Sequence, residues 1–444
     1  MWLIVETHKA LFRIEKKYLV FSVLYRSIEL SNGEKSVIDV QRLAELRYPF
    51  DEMLIKKLFG QLSLASFNRL ISTDSGRLSR PLPASFYTSP EIYSLERQHI
   101  FGNDWLYAGH VAQLPSIGSY LSLILADYPI FLYRNKSNEI VAFHNQCSHR
   151  AGPIVPMSNA VTCGTQSQLK CKYHAWLYDD QGKLRATPHF GVDLTDEQKQ
   201  SLALKKLAVE VLFDHLVFIN INESSKNNKG ALSSKLAPLA SEMKQFDLEH
   251  YEYAKSSHHL LNCNWKTYCE NYQDPYHIWT VHPRLNSQID TKHYTVTNYS
   301  TLYSIHYCPS RASLSSSSLQ EKYIWAFLFP NLALNLYEYA MSIEHIIPLS
   351  YDKTILSFTY FQKQGRKTKS DEELKLFEQS YEIDKTTIEE DKQICELVQK
   401  NLNSGVYTPG YLSPVRENGV EMFQENIKSK LEPYLSEKHR SQLE

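Results

Sequence analysis

The sequence predicts an α+β protein, in which a small antiparallel β domain precedes a larger domain that combines an antiparallel sheet with helices. Between about residues 105 and 222, short runs rich in β-branched and aromatic residues alternate with turn signals. A helical pattern near 264–282 and strand-like runs near 323–362 then precede a long charged helix from about 370 to 401. Helices segregated from an antiparallel sheet are typical of the α+β class.

Two breaks divide the chain into three segments. Pro81-Leu82-Pro83 ends a first stretch without chemical motifs, and the polar run SSKNNKG at 224–230 has the composition of a linker. We therefore predict an N-terminal extension of unknown role at 1–81, a β domain with a lead-in segment at 82–225, and a second domain at 226–444.

Composition excludes several classes of protein. The 444 residues are 43% hydrophobic and 22% charged, with a formal net charge of -1, so nucleic-acid binding is not expected. The sequence contains no apolar run of 18 or more residues, and its seven cysteines do not indicate a disulfide framework. We expect a soluble cytoplasmic protein without transmembrane segments. A basic, acid-poor stretch from Met53 keeps organelle import open as the alternative.

Two short motifs, each with one thiol and one imidazole, form the first candidate metal site. Cys147 and His149 are two positions apart, Cys171 and His174 are three apart, and 21 residues separate His149 from Cys171. A Rieske [2Fe-2S] centre uses two cysteines and two histidines, and a structural zinc takes the same ligand types. Both remain possible at this point. Cys163, between the motifs, is expected to be a buried thiol without a ligand role.

A second candidate site follows in D-x2-H-x4-H, formed by Asp274, His277 and His282. Histidines five residues apart lie about 140° apart on a regular helix. They can share a metal only where the helix is distorted or ends. A ferrous iron with open positions would also need a carboxylate ligand.

The C-terminal helix offers that carboxylate. Residues recurring at helical spacing form one stripe, consisting of Ile388, Asp391, Cys395, Val398 and Leu402. A buried ionised aspartate is costly unless it is paired or bound to a metal, so Asp391 is a candidate ligand. The alternatives are an aspartate that faces water at the edge of the stripe, and one paired with Lys385 or Lys392.

The two motifs in this order resemble the α-subunits of Rieske non-haem iron oxygenases, and most resemble the choline, carnitine and glycine-betaine branch. The resemblance covers about residues 82–425, and the matching segments are CSHRAGP, CKYHAWLYDDQGKL, NWKTYCENYQDPYHIWTVHP and EEDKQICELVQKNLNSG. It implies a Rieske domain at 82–225 and a catalytic domain at 226–444. The chain departs from the family in its longer interval between His149 and Cys171, and in CKYHAW, which lacks the common proline and glycine.

The resemblance also implies roles for individual residues. Two cysteines would hold one iron of the cluster and two histidines the other, namely Cys147 with Cys171 and His149 with His174. The implied ligands of the mononuclear iron are His277, His282 and Asp391. Asp274 matches the acidic residue that bridges, through hydrogen bonds, an iron-binding histidine and a Rieske histidine of the neighbouring subunit in a homotrimer.

The expected activity is hydroxylation or oxidative N-demethylation of a quaternary ammonium compound with O2. Ring hydroxylation of an aromatic acid is the alternative within the family, and a non-catalytic zinc or iron-sulfur protein is the alternative of another class. The chain has 15 glycines and no G-x-G-x-x-G, so electrons should come from a separate NAD(P)H-dependent flavin or ferredoxin-type reductase. Aromatic runs such as Tyr323-Ile324-Trp325, Phe327–Phe329 and Tyr337-Glu338-Tyr339 could supply a cation-π cage, or simply core.

Overall fold

The computed structural model describes most of the chain beyond residue 77. The described residues are 26–29, 35–38, 78–158, 161–222, 230–246, 248–309, 322–337, 340–363 and 371–443. The predicted boundary at 225/226 lies outside them. Contacts divide the chain into two compact units, Met1–Leu78 and Ser79–Glu444. In the first unit, the two described strands pair antiparallel.

The strands are β1 (Arg26–Glu29), β2 (Lys35–Ile38), β3 (Trp105–His110), β4 (Ser119–Leu125), β5 (Tyr128–Arg134), β6 (Ile140–His144), β7 (Thr162–Thr165), β8 (Leu169–Lys170), β9 (Leu177–Tyr178), β10 (Leu184–Ala186), β11 (Lys206–Leu212), β12 (Leu216–Asn220), β13 (Tyr251–Leu261), β14 (Thr295–Tyr299), β15 (Tyr303–Pro309), β16 (Lys322–Leu328), β17 (Leu332–Leu336), β18 (Ala340–Ser350) and β19 (Lys353–Lys363). The helices are α1 (Ser85–Thr88), α2 (Pro90–Glu96), α3 (Asp196–Ser201), α4 (Ala231–Lys235), α5 (Ala237–Met243), α6 (Trp265–Gln273), α7 (Ile278–Val281), α8 (Pro283–Gln288), α9 (Asp371–Asn403), α10 (Asn418–Leu431) and α11 (Glu437–Arg440). None of the helices in the described part of the chain is both long enough and apolar enough to span a membrane.

The first large sheet confirms the predicted antiparallel β domain. Its seven strands have the order β3-β12-β11-β6-β5-β4-β7, and a separate three-stranded sheet has the order β10-β9-β8. Cys147 lies in the loop after β6, and Cys171 directly follows β8. The prediction of a buried thiol at Cys163 is wrong, because this residue lies in the edge strand β7 and its side chain is exposed.

The second large sheet has seven antiparallel strands in the order β13-β19-β18-β17-β16-β15-β14. Its β18 is buried from Ala340 to Pro348, because both faces of the sheet are covered. Ile346 belongs to a core shared with helices α6, α9 and α10. Ile343, on the opposite face, packs in a second core with Leu232 and Met243 of helices α4 and α5. The alternation of side chains along β18 therefore decides which of them face the long helix. Helices packed on an antiparallel sheet confirm the predicted α+β class.

Two helix predictions need correction in detail. The long charged helix is present as α9, but its buried stripe contains Gln399 instead of Val398, which is 39% exposed. Gln399 accepts a hydrogen bond from the backbone amide of Asn264 and donates one to the carbonyl of Tyr87, so its polar groups are satisfied inside. The helical pattern at 264–282 is also broken, into α6 and α7.

Candidate metal centres

The two Cys-His motifs fold into similar turns although their spacings differ. The amide of Ala151 donates to the carbonyl of Cys147, and the amide of Ala175 donates to that of Cys171, both at 3.0 Å. The two alanines have positive φ values of 54° and 60°. Each cysteine therefore begins a tight five-residue turn that also carries the histidine of its motif.

The two thiols are buried close to each other. Cys147 is 2% exposed and Cys171 is 1% exposed. Burial raises the pKa of Cys147, and the neighbouring thiol of Cys171 raises it further. The hydroxyl of Tyr178 lies 3.0 Å from the Cys147 sulfur. Two buried thiols close to each other are suited to a site in which a bound metal takes the place of their protons.

The two histidines complete this donor set. The rings of His149 and His174 are 4.5 Å apart, and His149 stacks on Trp176 at 4.6 Å. The Nδ1 atom of His149 is buried and has no hydrogen-bond partner among the described residues, which is unfavourable unless another ligand satisfies it. Two thiols and two imidazoles, one with an unsatisfied nitrogen, fit a Rieske cluster.

The second predicted site is a compact triangle of ligand atoms from His277, His282 and Asp391. The two Nε2 atoms are 3.1 Å apart, and Nε2 of His282 is 3.0 Å from Oδ1 of Asp391. The same oxygen lies 3.6 Å from Nε2 of His277. Three ligands about 2.1 Å from an octahedral ion, on one of its faces, are about 3.0 Å apart. The triangle therefore has the size of a facial metal site.

Neighbouring carboxylates set the protonation of both histidines. Nδ1 of His277 lies 3.3 Å from Oδ2 of Asp274, and Nδ1 of His282 lies 2.7 Å from Oε2 of Glu390. When Nδ1–H donates to a carboxylate, the lone pair of Nε2 is left for a metal. Two such lone pairs and the Asp391 oxygen then meet at one place, an arrangement that favours a cation.

The acids and the histidines of the triangle also shift one another's pKa values. Burial alone would lower the pKa of His277, but its hydrogen bonds to Asp274 and Asp391 outweigh burial and raise it to about 9. The pKa of His282 is raised in the same way, against burial, by Asp391 and Glu390. Burial would raise the pKa of Asp391, but the two histidines hold it at about 2. The Asp391 carboxylate is therefore ionised at neutral pH, as a metal ligand must be.

A helix break brings the two histidines together despite their five-residue spacing. Helix α6 ends at Gln273, and Asp274 adopts an extended conformation, with φ −101° and ψ 98°, before a proline. A short second helix, α7, then separates His277 from His282. The histidines therefore approach from outside a regular helix, as the sequence analysis required.

Two residues of this site were missed by the sequence analysis. Glu390 orients His282, and Asn271 donates a hydrogen bond of 2.6 Å to Oδ1 of Asp391. Asn271 and Asp391 are 120 residues apart, so no local pattern links them. The pairing of Asp391 with Lys385 or Lys392, considered from sequence, is replaced by contacts with the two histidines.

A cleft of about 650 Å³, open to solvent, reaches the triangle. Its floor is one face of the second sheet, and its other walls come from α6, α9 and the segment between α7 and β14. Its aromatic lining residues are Tyr268, Tyr272, Tyr294, Trp325, Tyr337 and Phe358. Of the aromatic runs noted in the sequence, Trp325 and Tyr337 thus face the cleft, whereas Phe327 is fully buried core. Glu338 and Tyr339 lie outside the described residues.

Comparisons with known proteins identify two domains in the chain. Residues 104–200 match the family described as Rieske [2Fe-2S] domain, and residues 246–432 match the ring hydroxylating alpha subunit (catalytic domain). The chloroplastic choline monooxygenase of Beta vulgaris is 27% identical over 77% of this chain and 75% of its own length. The glycine betaine monooxygenase oxygenase subunit of Chromohalobacter salexigens is 30% identical over 47% of this chain and 45% of its own length.

Solved structures share the fold. The quaternary ammonium Rieske monooxygenase CntA superposes with a TM-score of 0.68 and 22% identity, covering 80% of this chain and 96% of its own. Naphthalene 1,2-dioxygenase superposes with a TM-score of 0.64 and 16% identity, covering 84% of this chain and 99% of its own. The two matched domains and the fold define an oxygenase α-subunit. The chain belongs to the Rieske non-haem iron oxygenases. Its cofactors are a Rieske [2Fe-2S] cluster and a mononuclear iron, so the zinc alternative is set aside.

Proposed function

We propose that this oxygenase uses O2 and electrons from a separate reductase to hydroxylate or oxidatively N-demethylate a quaternary ammonium compound. The observation that carries the proposal is the aromatic cleft that opens onto the histidine-aspartate triangle. The names of the relatives, choline monooxygenase and glycine betaine monooxygenase, support the same class of substrate.

The ligand assignment is part of the proposal. The cysteines of the two turns, Cys147 and Cys171, would hold one cluster iron, and His149 and His174 the other. The mononuclear iron would be held by His277, His282 and Asp391. When bound, the cluster supplies electrons one at a time and the mononuclear iron supplies the site of oxygen activation. The chain orients the iron-binding histidines through Asp274 and Glu390, which leave their Nε2 lone pairs free.

Aromatic side chains would bind the ammonium group. A quaternary ammonium cannot donate hydrogen bonds, so the electron-rich faces of aromatic rings are its natural partners in a cleft. Tyr268, Tyr272 and Trp325 belong to the cleft that also contains the triangle, so a bound cation would lie near the iron. Ring hydroxylation of an aromatic acid is the competing activity, and naphthalene 1,2-dioxygenase supports it by fold alone.

The electron path would cross between subunits. We expect a homotrimer, with Asp274 as the polar bridge from one subunit to the next. The Asp274 carboxylate is suited to this role because it accepts hydrogen bonds from the Tyr276 amide at 2.6 Å and from His277, while its side chain keeps 20% exposure. The partner reductase would be an NAD(P)H-dependent flavin or ferredoxin-type protein. Cytoplasmic location stays a prediction, and the plant relatives are named chloroplastic.

Metal analysis and oxygen uptake test this function together. We expect about three irons per chain and a reduced-state EPR signal typical of a Rieske cluster. Choline, glycine betaine and carnitine should be screened with simple aromatic acids, with product measured against O2 consumed. The chain should turn over with reductase and NADH, but not with NADH alone. Product from aromatic acids, and none from the ammonium compounds, would establish the competing activity.

A further inference from the structure

The cleft contains two carboxyl groups that the iron site does not use. Glu344 lies on β18 and Asp384 on α9, and both line the cleft together with the aromatic residues. Among the described residues, no lysine or arginine lines it. Because the substrate must enter this cleft, the two acids decide which charge the substrate can carry.

Glu344 is held in place by neutral hydrogen-bond donors. Its two oxygens accept hydrogen bonds from Asn335 Nδ2 at 2.7 Å and from the Tyr268 hydroxyl at 2.9 Å. The Tyr272 hydroxyl in turn donates to Asn335 Oδ1 at 2.8 Å, which fixes the orientation of the amide. Glu344 is 7% exposed, so this network fixes the position of its carboxyl group.

Asp384 lies on the long helix and has weaker support. Its Oδ1 accepts a hydrogen bond of 3.4 Å from the hydroxyl of Tyr337. Burial raises the pKa of Asp384 to about 7, and that of Glu344 to about 8 despite the donors that lower it. A buried carboxyl that resists ionisation gains most from a cation brought beside it.

An unsatisfied indole N–H in the cleft indicates that the ligand also carries a hydrogen-bond acceptor. Trp325 also lines the cleft and is 8% exposed, and its indole N–H has no hydrogen-bond partner among the described residues. A buried donor of this kind is satisfied by an oxygen acceptor. A hydroxyl can accept from Trp325 and donate to a carboxyl oxygen, whereas a substrate carboxylate would oppose the ionisation of Glu344 and Asp384 that a bound ammonium group favours.

We propose that Glu344 and Asp384 are specificity-determining residues, which select a cationic amino alcohol of the choline type and disfavour zwitterions that carry a carboxylate. This inference rests on the proposed function and narrows its substrate class. It assigns the preference to electrostatics, because the aromatic rings alone attract the ammonium group of choline and of glycine betaine equally.

Equilibrium binding to the full chain with both metal sites loaded tests the proposal. Choline, glycine betaine and the uncharged choline isostere 3,3-dimethylbutan-1-ol are titrated calorimetrically without O2, and the titrations are repeated on protein depleted of mononuclear iron. Choline should bind about tenfold or more tightly than each of the other two. Glu344→Gln and Asp384→Asn should each weaken choline binding by about tenfold and leave the isostere unaffected.

Glu382→Gln is the matched control, because Glu382 lies on the same helix with its side chain exposed. It should change none of the three affinities. Wild-type protein that binds glycine betaine as tightly as choline would overturn the inference and leave the proposed function standing, and this comparison needs no variant. Unchanged choline binding in both folded variants would overturn it too. Binding of no ammonium compound at all would overturn the proposed function with it.

Discussion

Replacing Glu390 with glutamine tests how the proposed iron-binding triangle is held in place. Oε2 of Glu390 lies 2.7 Å from Nδ1 of His282, and the carboxylate side chain is 28% exposed. Glutamine keeps the length of the side chain and an oxygen acceptor. The substitution therefore removes the negative charge from this contact and leaves its shape in place.

The expected loss follows from what that charge does. A carboxylate partner makes the imidazole a stronger base and fixes its tautomer, and loss of such a partner costs about 10–100-fold in metal affinity. That range corresponds to about 1.4–2.7 kcal/mol. Because glutamine can still accept the hydrogen bond, we expect the lower end, about tenfold weaker Fe(II) binding.

Fe(II) titration against a competing chelator measures this affinity, and the Rieske absorption spectrum serves as an internal standard that should not change. The two acids that flank Glu390 on α9 provide the controls. Glu389→Gln should bind iron as the wild type does, because Glu389 is exposed, whereas Asp391→Asn should lose far more affinity. Equal iron affinity in Glu390→Gln and wild type, or an equal loss in Glu389→Gln, would refute the reasoning.

Three further predictions concern electron transfer and stability. Asp274→Ala should bind Fe(II) about 10–100-fold more weakly, because His277 loses a carboxylate partner, so its activity is measured at saturating iron with both metals retained. Substrate-coupled oxygen uptake should then fall by about 100-fold, since the proposed bridge is removed; normal turnover would contradict that role. Lys266→Met should lower the free energy of unfolding by about 3–5 kcal/mol, because it leaves the fully buried Glu96 carboxylate, now 2.5 Å from the ammonium group, without its ion pair. Lys400→Met, at an exposed site, is its control in the same denaturation experiment. Burial raises the pKa of Glu270 from 4.5 to about 7, so its ionisation costs stability as the pH rises through that interval. The free energy of unfolding of Glu270→Gln should therefore exceed that of the wild type by up to about 3 kcal/mol above pH 7 and by little below pH 4. A difference independent of pH would contradict this prediction.

The ligand motifs were predictable because their members are close in sequence. Each Cys-His pair, Cys147 with His149 and Cys171 with His174, lies within one five-residue turn. The spacing of the pair therefore reflects the geometry of that turn. The spacing of His277 and His282 also required a helix break, and the structure has one. Local geometry is encoded by neighbouring residues, and a sequence pattern can therefore indicate it.

Other features depended on contacts between distant residues. From the residues alone, Asp391 could be a ligand, a water-facing acid or the partner of a lysine, and its contact with His282 across 109 positions supports the first of these. We predicted Val398 in the buried stripe because it is apolar. The structure buries Gln399 instead, because its side-chain amide has two buried hydrogen-bond partners. Cys163 was expected inside, yet it lies exposed on an edge strand.

By itself, the sequence determined the α+β class, the two kinds of metal motif and the family. It did so because periodicity and short spacings reflect local backbone geometry. The tertiary structure alone decided that Glu390 supports His282, that Glu344 and Asp384 share the cleft, and that Trp325 rather than Phe327 faces it. These facts depend on strand register and helix packing, which bring together residues that no local pattern connects.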